Sequence, residues 1–229
     1  MVTVLSPAHS TLSDHRRAHV YDEVIGEAED AIAAVARGEV VVVVDDEDRE
    51  NEGDLVVAAE YADAHVVNFM ITYGRGLVCM PITAQRAREL ELAPMVAHNG
   101  DHFGTAFTVS VDATAGHGVT TGISAYDRAR TIQTVLTGTA EDLNRPGHIF
   151  PLIARDGGVL ERPGHTEAAV DLARFAGLTP AGVIVEIING DGTMARLPQL
   201  VRFGRAHGLV LTSIEKLRQY AAARSWERS

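Results

Sequence analysis

The chain has 229 residues, 31 acidic and 20 basic, for a net charge of −11, and 46% of it is hydrophobic. That balance excludes nucleic acid and anionic membrane as main partners, and the hydrophobic share supplies a real core. The single cysteine, Cys79, excludes an intrachain disulfide and a multi-cysteine zinc site. No run of about 18 apolar residues is present to span a membrane. Residues 1–20 lack the apolar centre of a signal peptide, so a reducing, cytoplasmic location is expected.

In chain order, Met1 to about Val20 is polar and aperiodic and reads as a flexible N-terminal arm. From Asp22, Ile25, Ala28, Ile32 and Val35 recur at helical spacing, and Gly38 is placed to end that helix. Val40 to Val44 is a run of β-branched residues, expected to be a buried strand. It delivers Asp45 to Asp54, seven carboxylates in ten positions with Arg49 the one cation among them. Such crowding is repulsive unless a positive group sits within it, and a hard divalent cation is the candidate beside a solvated acidic loop.

Leu55 to Ala59 reads as a strand, and Ala62 to Tyr73 as a helix with Val66, Phe69, Met70 and Tyr73 inward. A short strand with Cys79 runs from Gly76 to Pro81, and a helix from Thr83 to Leu90. Ala93 to Gly104 has no periodicity and reads as a mobile lid. A strand is expected over Ala106 to Val111, a helix over Ser124 to Leu136 capped by Ser124, and a strand over Ile149 to Ala154, where Pro151 suggests an edge or a bulge. An amphipathic helix follows from His165 to Phe175, then an apolar strand from Gly182 to Ile188 and a turn at Asn189 to Gly192. Pro198 can be the first residue of the next helix. A last strand over Leu209 to Leu211 leads to a capping-box pattern, Thr212 to Glu215, opening a terminal helix from Ser213 to about Arg224. Strands and helices alternate without a linker or repeat, which gives a single α/β domain, residues 21–229.

Three further places carry chemistry-bearing residues. Glu161 to Thr166 joins a cation, a glycine, an imidazole and a hydroxyl at a helix start, where free N–H groups favour a phosphate. An ordinary capped helix with a surface histidine is the alternative. Glu186 sits within an apolar strand; turned inward it is a desolvated acid or base, while strand alternation equally permits it to face solvent. His148, in a turn-like Arg-Pro-Gly-His stretch, reads as structural by itself. A nucleotide phosphate loop, a dinucleotide fingerprint and a Gly-x-Ser-x-Gly elbow are absent. An EF-hand fails because Ala59 stands at the twelfth position counted from Asp48.

Taken together, Asp45 to Leu55, Arg145 to His148, Arg162 to Ala168 and Glu186 to Met194 resemble the 3,4-dihydroxy-2-butanone 4-phosphate synthases of riboflavin biosynthesis. Gly122 to Arg128 and Gly76 to Cys79 also match, and the resemblance runs from about Asp22 to Arg218. It implies an α/β sandwich and conversion of D-ribulose 5-phosphate to L-3,4-dihydroxy-2-butanone 4-phosphate and formate. It also implies Mg2+, or Mn2+ in its place, no organic cofactor, and a homodimer with active sites between its chains. By the same resemblance Glu50 and His165 ligate the metal, and Arg49, Asp54, Arg162, Pro163, Gly164 and Thr166 hold the sugar phosphate. Cys79 and Glu52 line the pocket, and His148 and Glu186 transfer protons. In some relatives this domain is fused to GTP cyclohydrolase II, whose three zinc-ligating cysteines these residues do not contain. A catalytically silent metal- or sugar-phosphate-binding module and another Mg2+-dependent sugar-phosphate lyase or isomerase are the competing functions.

Overall fold

The computed structural model describes residues 25–226. The expected N-terminal arm and the helix start at Asp22 lie outside the described residues. The helices are α1 (Ala28–Ala36), α2 (Ala64–Tyr73), α3 (Ala84–Glu89), α4 (Ala125–Thr137), α5 (His165–Phe175), α6 (Leu197–His207) and α7 (Ile214–Trp226). The strands are β1 (Val41–Val44), β2 (Gly53–Ala58), β3 (Cys79–Ile82), β4 (Val111–Ala113), β5 (Leu143–Ile153), β6 (Gly182–Glu186) and β7 (Leu211–Ser213). They form one mixed sheet in the order β4-β5-β3-β6-β2-β1-β7. No helix among the described residues is long and apolar enough to cross a membrane.

Strand alternation divides the core in two. Val42, Val44, Leu55, Val57, Val183 and Val185 face one way, against Val67 and Met70 of α2, Ile132 of α4 and Leu200 of α6. Val41, Val43, Val56, Ala58, Cys79 and Ile184 face the other way, against Val35 of α1, Leu172 of α5 and Leu217 of α7. The result is an α/β sandwich with the sheet in the middle. Its central strands are buried on both faces, which is why they read as continuous apolar runs rather than alternating ones.

Several expectations change in three dimensions. Helix α5 has the expected apolar face, with Ala169, Leu172 and Phe175 against the core, but its polar side is not in solvent: every residue from His165 to Ala173 is buried, because the sheet covers one side and α1, α7 and the turn at Gly158–Leu160 cover the other. In α2, Met70 is buried and Val66 and Phe69 pack partly buried against the core as expected, but Val67 joins them fully buried and Tyr73 is exposed. The strand expected at Ala106–Val111 begins at Val111, with isolated bridges at Phe107 and Thr108 before it. Arg145 to His148 lies inside β5 rather than in a turn. Pro151 sits in that strand away from the sheet edge. Its carbonyl accepts the Thr108 N–H, so the side where its own N–H is missing meets an irregular segment that needs no ladder donor. The last strand starts at Leu211, Pro198 is the second residue of α6, and the terminal helix is capped by Ser213, whose Oγ accepts the Lys216 N–H at 3.2 Å. Thr212 instead donates to the Gly26 carbonyl.

Because Leu172 is fully buried at the centre of the doubly covered α5, Leu172→Ala is expected to cost about 2–5 kcal/mol in urea unfolding. A loss below about 1 kcal/mol would show that α5 is not the packed centre of that layer.

Candidate active site

The acidic loop between β1 and β2 is organised by one of its own carboxylates. The Asp45 side chain is 1% exposed. Its Oδ1 accepts the Glu52 N–H at 2.8 Å, and its Oδ2 accepts the Glu50 N–H at 3.0 Å and Arg49 Nη1 at 2.9 Å. Asn51 turns the chain with φ of 55°, a left-handed conformation that asparagine tolerates. With Asp45 engaged, the Glu50 carboxylate is directed outward, 2.9 Å from Arg49 Nη1 and 3.6 Å from His165 Nδ1.

His165 is the first residue of α5 and 5% exposed. Its Nε2 lies 3.2 Å from the Val43 carbonyl, which holds the proton on that nitrogen and turns Nδ1 toward Glu50. Gly164 precedes the helix without a side-chain cap, so the first N–H groups are left for an anion. A Cβ there would lie 2.3 Å from Arg162 Nη1, so glycine is what lets Arg162 fold back over the helix start. That arginine is anchored at 2.6 Å to the buried Glu167, whose other oxygen accepts the Arg155 N–H. Arg162 Nη2 reaches the Phe103 carbonyl at 3.1 Å, and the Phe103 ring lies beneath the Arg49 guanidinium at 5.2 Å. The long loop expected as a lid therefore returns to the site through Phe103.

The sheet supplies the floor. Asp54 of β2 and Glu186 of β6 are directly paired across the antiparallel ladder. They share a face with Val56 and Ile184, the face that carries α5. Glu186 closes its strand half-buried and accepts the Leu77 N–H at 2.8 Å. A Cβ on Gly76 would strike the Glu186 carboxylate at 2.3 Å, so a glycine is required beside it. The carboxylate taken fully out of water is thus Asp54 rather than Glu186. Its Oδ1 is buried with no hydrogen-bond partner among the described residues.

These groups line a cleft of about 290 Å³. Burial, set against the attraction of His165 and joined by repulsion from Glu186, Glu50 and Glu52, raises the Asp54 pKa to about 7. Burial opposes the charged form of His165, but Asp54, Glu50 and Asp45 override it and raise the pKa to about 9. Burial likewise works against Glu50, yet His165 and Arg49 hold its carboxyl below the usual range. Burial, with Glu186 and Asp54 nearby, pushes the Cys79 thiol well up, which removes it as a nucleophile. A larger cleft of about 700 Å³ is lined by other residues of the acidic loop but by neither His165 nor Glu186, so the smaller one is the candidate site.

The donor set suits a hard divalent cation. Asp45, Glu50 and His165 bring ligand atoms within 4.8 Å of one another. Asp45 is already spent on the loop, which leaves Glu50 and His165 Nδ1, and the orphaned Asp54 oxygen adds negative field. A cation at Nδ1 takes the place of the proton that these carboxylates otherwise hold there.

Of the residues expected from the sequence, Arg49, Glu50, Glu52, Asp54, Cys79, Arg162, His165, Thr166 and Glu186 all line the cleft. Pro163 lines the larger one, and Gly164 acts through the backbone. His148 lines neither. It sits on β5 with Nδ1 2.7 Å from Asp112 Oδ2, its side chain 41% exposed. Phe103, Thr105, Phe107, Leu152 and Ile184 complete the lining and were not anticipated. An aromatic in a polar, aperiodic loop was the one available signal, at Phe103.

Residues 29–220 match the family model described as 3,4-dihydroxy-2-butanone 4-phosphate synthase. The chain belongs to that family. It is 56% identical over 198 residues to the riboflavin biosynthesis protein RibBA of Aquifex aeolicus (strain VF5), covering 86% of this chain and 49% of that one. It is 54% identical over 195 residues to the 3,4-dihydroxy-2-butanone 4-phosphate synthase of Photobacterium phosphoreum, covering 84% and 53%. The chain thus spans about half the length of the curated relatives it matches. Among solved structures, a synthase of the family in complex with two magnesium ions superposes with a TM-score of 0.79 at 43% identity, covering 84% of this chain and 95% of that one. A two-domain synthase from A. baumannii gives 0.82 at 48% identity, covering 85% and 57%. The family fold is therefore the one expected from the motifs.

Proposed function

We propose that this chain converts D-ribulose 5-phosphate to L-3,4-dihydroxy-2-butanone 4-phosphate and formate. The observation that carries the reading is the convergence of Glu50, His165, Asp54, Glu186, Arg49 and Arg162 on one cleft. Glu50 and His165 would hold Mg2+, with Mn2+ as an alternative, and the bound ion supplies Lewis-acid polarisation of a carbonyl and its neighbouring hydroxyl. Arg49, Arg162, Thr166 and the free N–H groups of α5 would bind the phosphate and orient the sugar, with Pro163 and Gly164 shaping that turn. Asp54 would accept a hydroxyl, Glu52 and Cys79 would wall the pocket, and Glu186 would move protons on the reacting carbons. Five carbons leave as four plus one with no net oxidation, so we assign no organic cofactor.

His148 would act from a second copy of the chain. Asp112 fixes its ring through Nδ1 and leaves Nε2 outward. It stands beside exposed apolar surface: a Cβ on Gly122 would lie 2.5 Å from His148 Nδ1, and the neighbouring Ile123 and Tyr126 are 55% and 67% exposed. A homodimer with sites between the chains covers that patch and brings the imidazole to the partner's cleft. We assign residues 21–229 to this synthase unit and the protein to the cytoplasm, which suits its unpaired, buried Cys79.

With Mg2+ and ribulose 5-phosphate the protein is expected to release one formate per sugar phosphate consumed, from C4 as read by carbon-labelled substrate. EDTA should stop release and excess Mg2+ restore it. Binding without turnover by folded, metal-loaded protein would refute the reading in favour of a silent sugar-phosphate module.

A further inference from the structure

The geometry points to Arg196 as the positioning residue that holds the acidic loop in the shape that presents Glu50 to the cleft. Arg196 lies 146 residues from Glu50 in the chain. Its Nη1 donates to the Glu50 carbonyl at 2.8 Å and also to the Asn51 carbonyl. These carbonyls flank the left-handed turn at Asn51, the one place in the loop where the backbone departs from ordinary geometry. Asp45 therefore gathers the loop's N–H groups from within, and Arg196 gathers its carbonyls from the opposite side.

Arg196 is itself rigidly placed. Beyond β6 the chain reverses through Asn189 and Thr193, and Ala195 N–H bonds back to the Ile187 carbonyl at 3.0 Å. Arg196 is then the N-cap of α6, with its carbonyl accepting from Leu200 at 2.9 Å. The same hairpin fixes the loop's exit, since Ile187 N–H donates to the Gly53 carbonyl at 2.9 Å. The strand that ends in Glu186 thus continues into the group that sets Glu50, which ties the two halves of the site to one frame. The carboxylate of Glu52, at 4.0 Å, is a weaker contact, so the role is directional hydrogen bonding more than charge.

The inference deepens the proposed metal site and rests on that reading for its catalytic consequence. Arg196→Lys keeps the charge but not the in-plane pair of Nη1 hydrogens that reaches both carbonyls, and Arg196→Ala loses both. In hydrogen exchange of the full chain, the peptide covering residues 45–53 should exchange at least about fivefold faster in either variant, while peptides from β3 and α5 stay at the unsubstituted rate. In an EPR titration, Mn2+ should bind either variant about tenfold more weakly. Unchanged exchange in folded Arg196→Lys, or unchanged Mn2+ affinity despite faster exchange, would overturn the proposal. So would a weakened Arg196→Ala beside a normal Arg196→Lys, which would show that any cationic donor there suffices and that the guanidinium geometry does not position the loop. Failure of the unsubstituted protein to bind Mn2+ counts against the metal reading instead, and the exchange comparison then tests Arg196 by itself.

Discussion

Glu186→Gln is expected to leave a folded protein that binds Mn2+ and sugar phosphate but turns over about 10³-fold more slowly. The reasoning starts from its position. Glu186 is opposite Asp54 in the ladder and faces the cleft with α5 above it, yet the proposed metal site needs only Glu50 and His165. Glutamine retains an oxygen to accept the Leu77 N–H, so the strand end is preserved. It also removes one of the charges that raise the Asp54 pKa, so thermal stability should hold or rise. A loss of about 10³-fold corresponds to about 4 kcal/mol of transition-state stabilisation, more than a misplaced hydrogen bond supplies. Turnover within tenfold of the unsubstituted enzyme, at equal KM, would remove Glu186 from the chemistry. Parallel loss of turnover and stability would make it structural.

Two inactive variants are expected to rescue each other. His148→Ala and Glu50→Gln should each abolish formate release, because each would remove a group from every site. Refolded together in equal amounts, they should recover about a quarter of the unsubstituted activity, because half the dimers are mixed and each mixed dimer has one intact site. The prediction follows from placement. His148 is held by Asp112 on β5 with its side chain half in solvent, beside exposed Ile123 and Tyr126 and outside the cleft that collects the other groups. A site contained in one chain gives no recovery, since every site in the mixture would then carry a defect. Tyr126→Glu offers an independent check: it should shift the protein toward monomer in sedimentation and reduce activity in step with the monomer fraction.

Much of the fold was legible because its signals are local. Val40 to Val44 could hardly be anything but a buried strand, and Ser124, Gly38 and Gly177 mark helix ends through capping chemistry that needs no tertiary context. The misreadings share a cause. Helix α5 reads as amphipathic from Ala169, Leu172 and Phe175, but its polar residues Thr166, Glu167 and Asp171 are buried too, each held by partners from elsewhere in the fold or turned into the site. Thr212 and Ser213 are both competent caps, and only the path of β7 past Gly26 decides which one caps. The Arg-Pro-Gly-His stretch has turn composition, yet pairing with β4 on either side of it, at Leu143 and Asn144 before and Ile149 after, carries it through β5 as an irregular stretch of the strand.

By itself the sequence determined the parts: a valine strand feeding a carboxylate-rich loop, a helix opening at Gly164-His165-Thr166, and a carboxylate within an apolar strand. Side-chain type and short-range spacing are properties of a few neighbouring residues, and so they survive without a fold. Only the tertiary structure decided how the loop's seven carboxylates divide their work. Asp45 turns inward to hold the loop, Glu50 turns toward His165, and Asp54 is buried against Glu186. The strand register, the helix laid across that face and an arginine from a distant hairpin make that division. The energy of a buried charge depends on such neighbours, and residues 100 or more positions apart supply them.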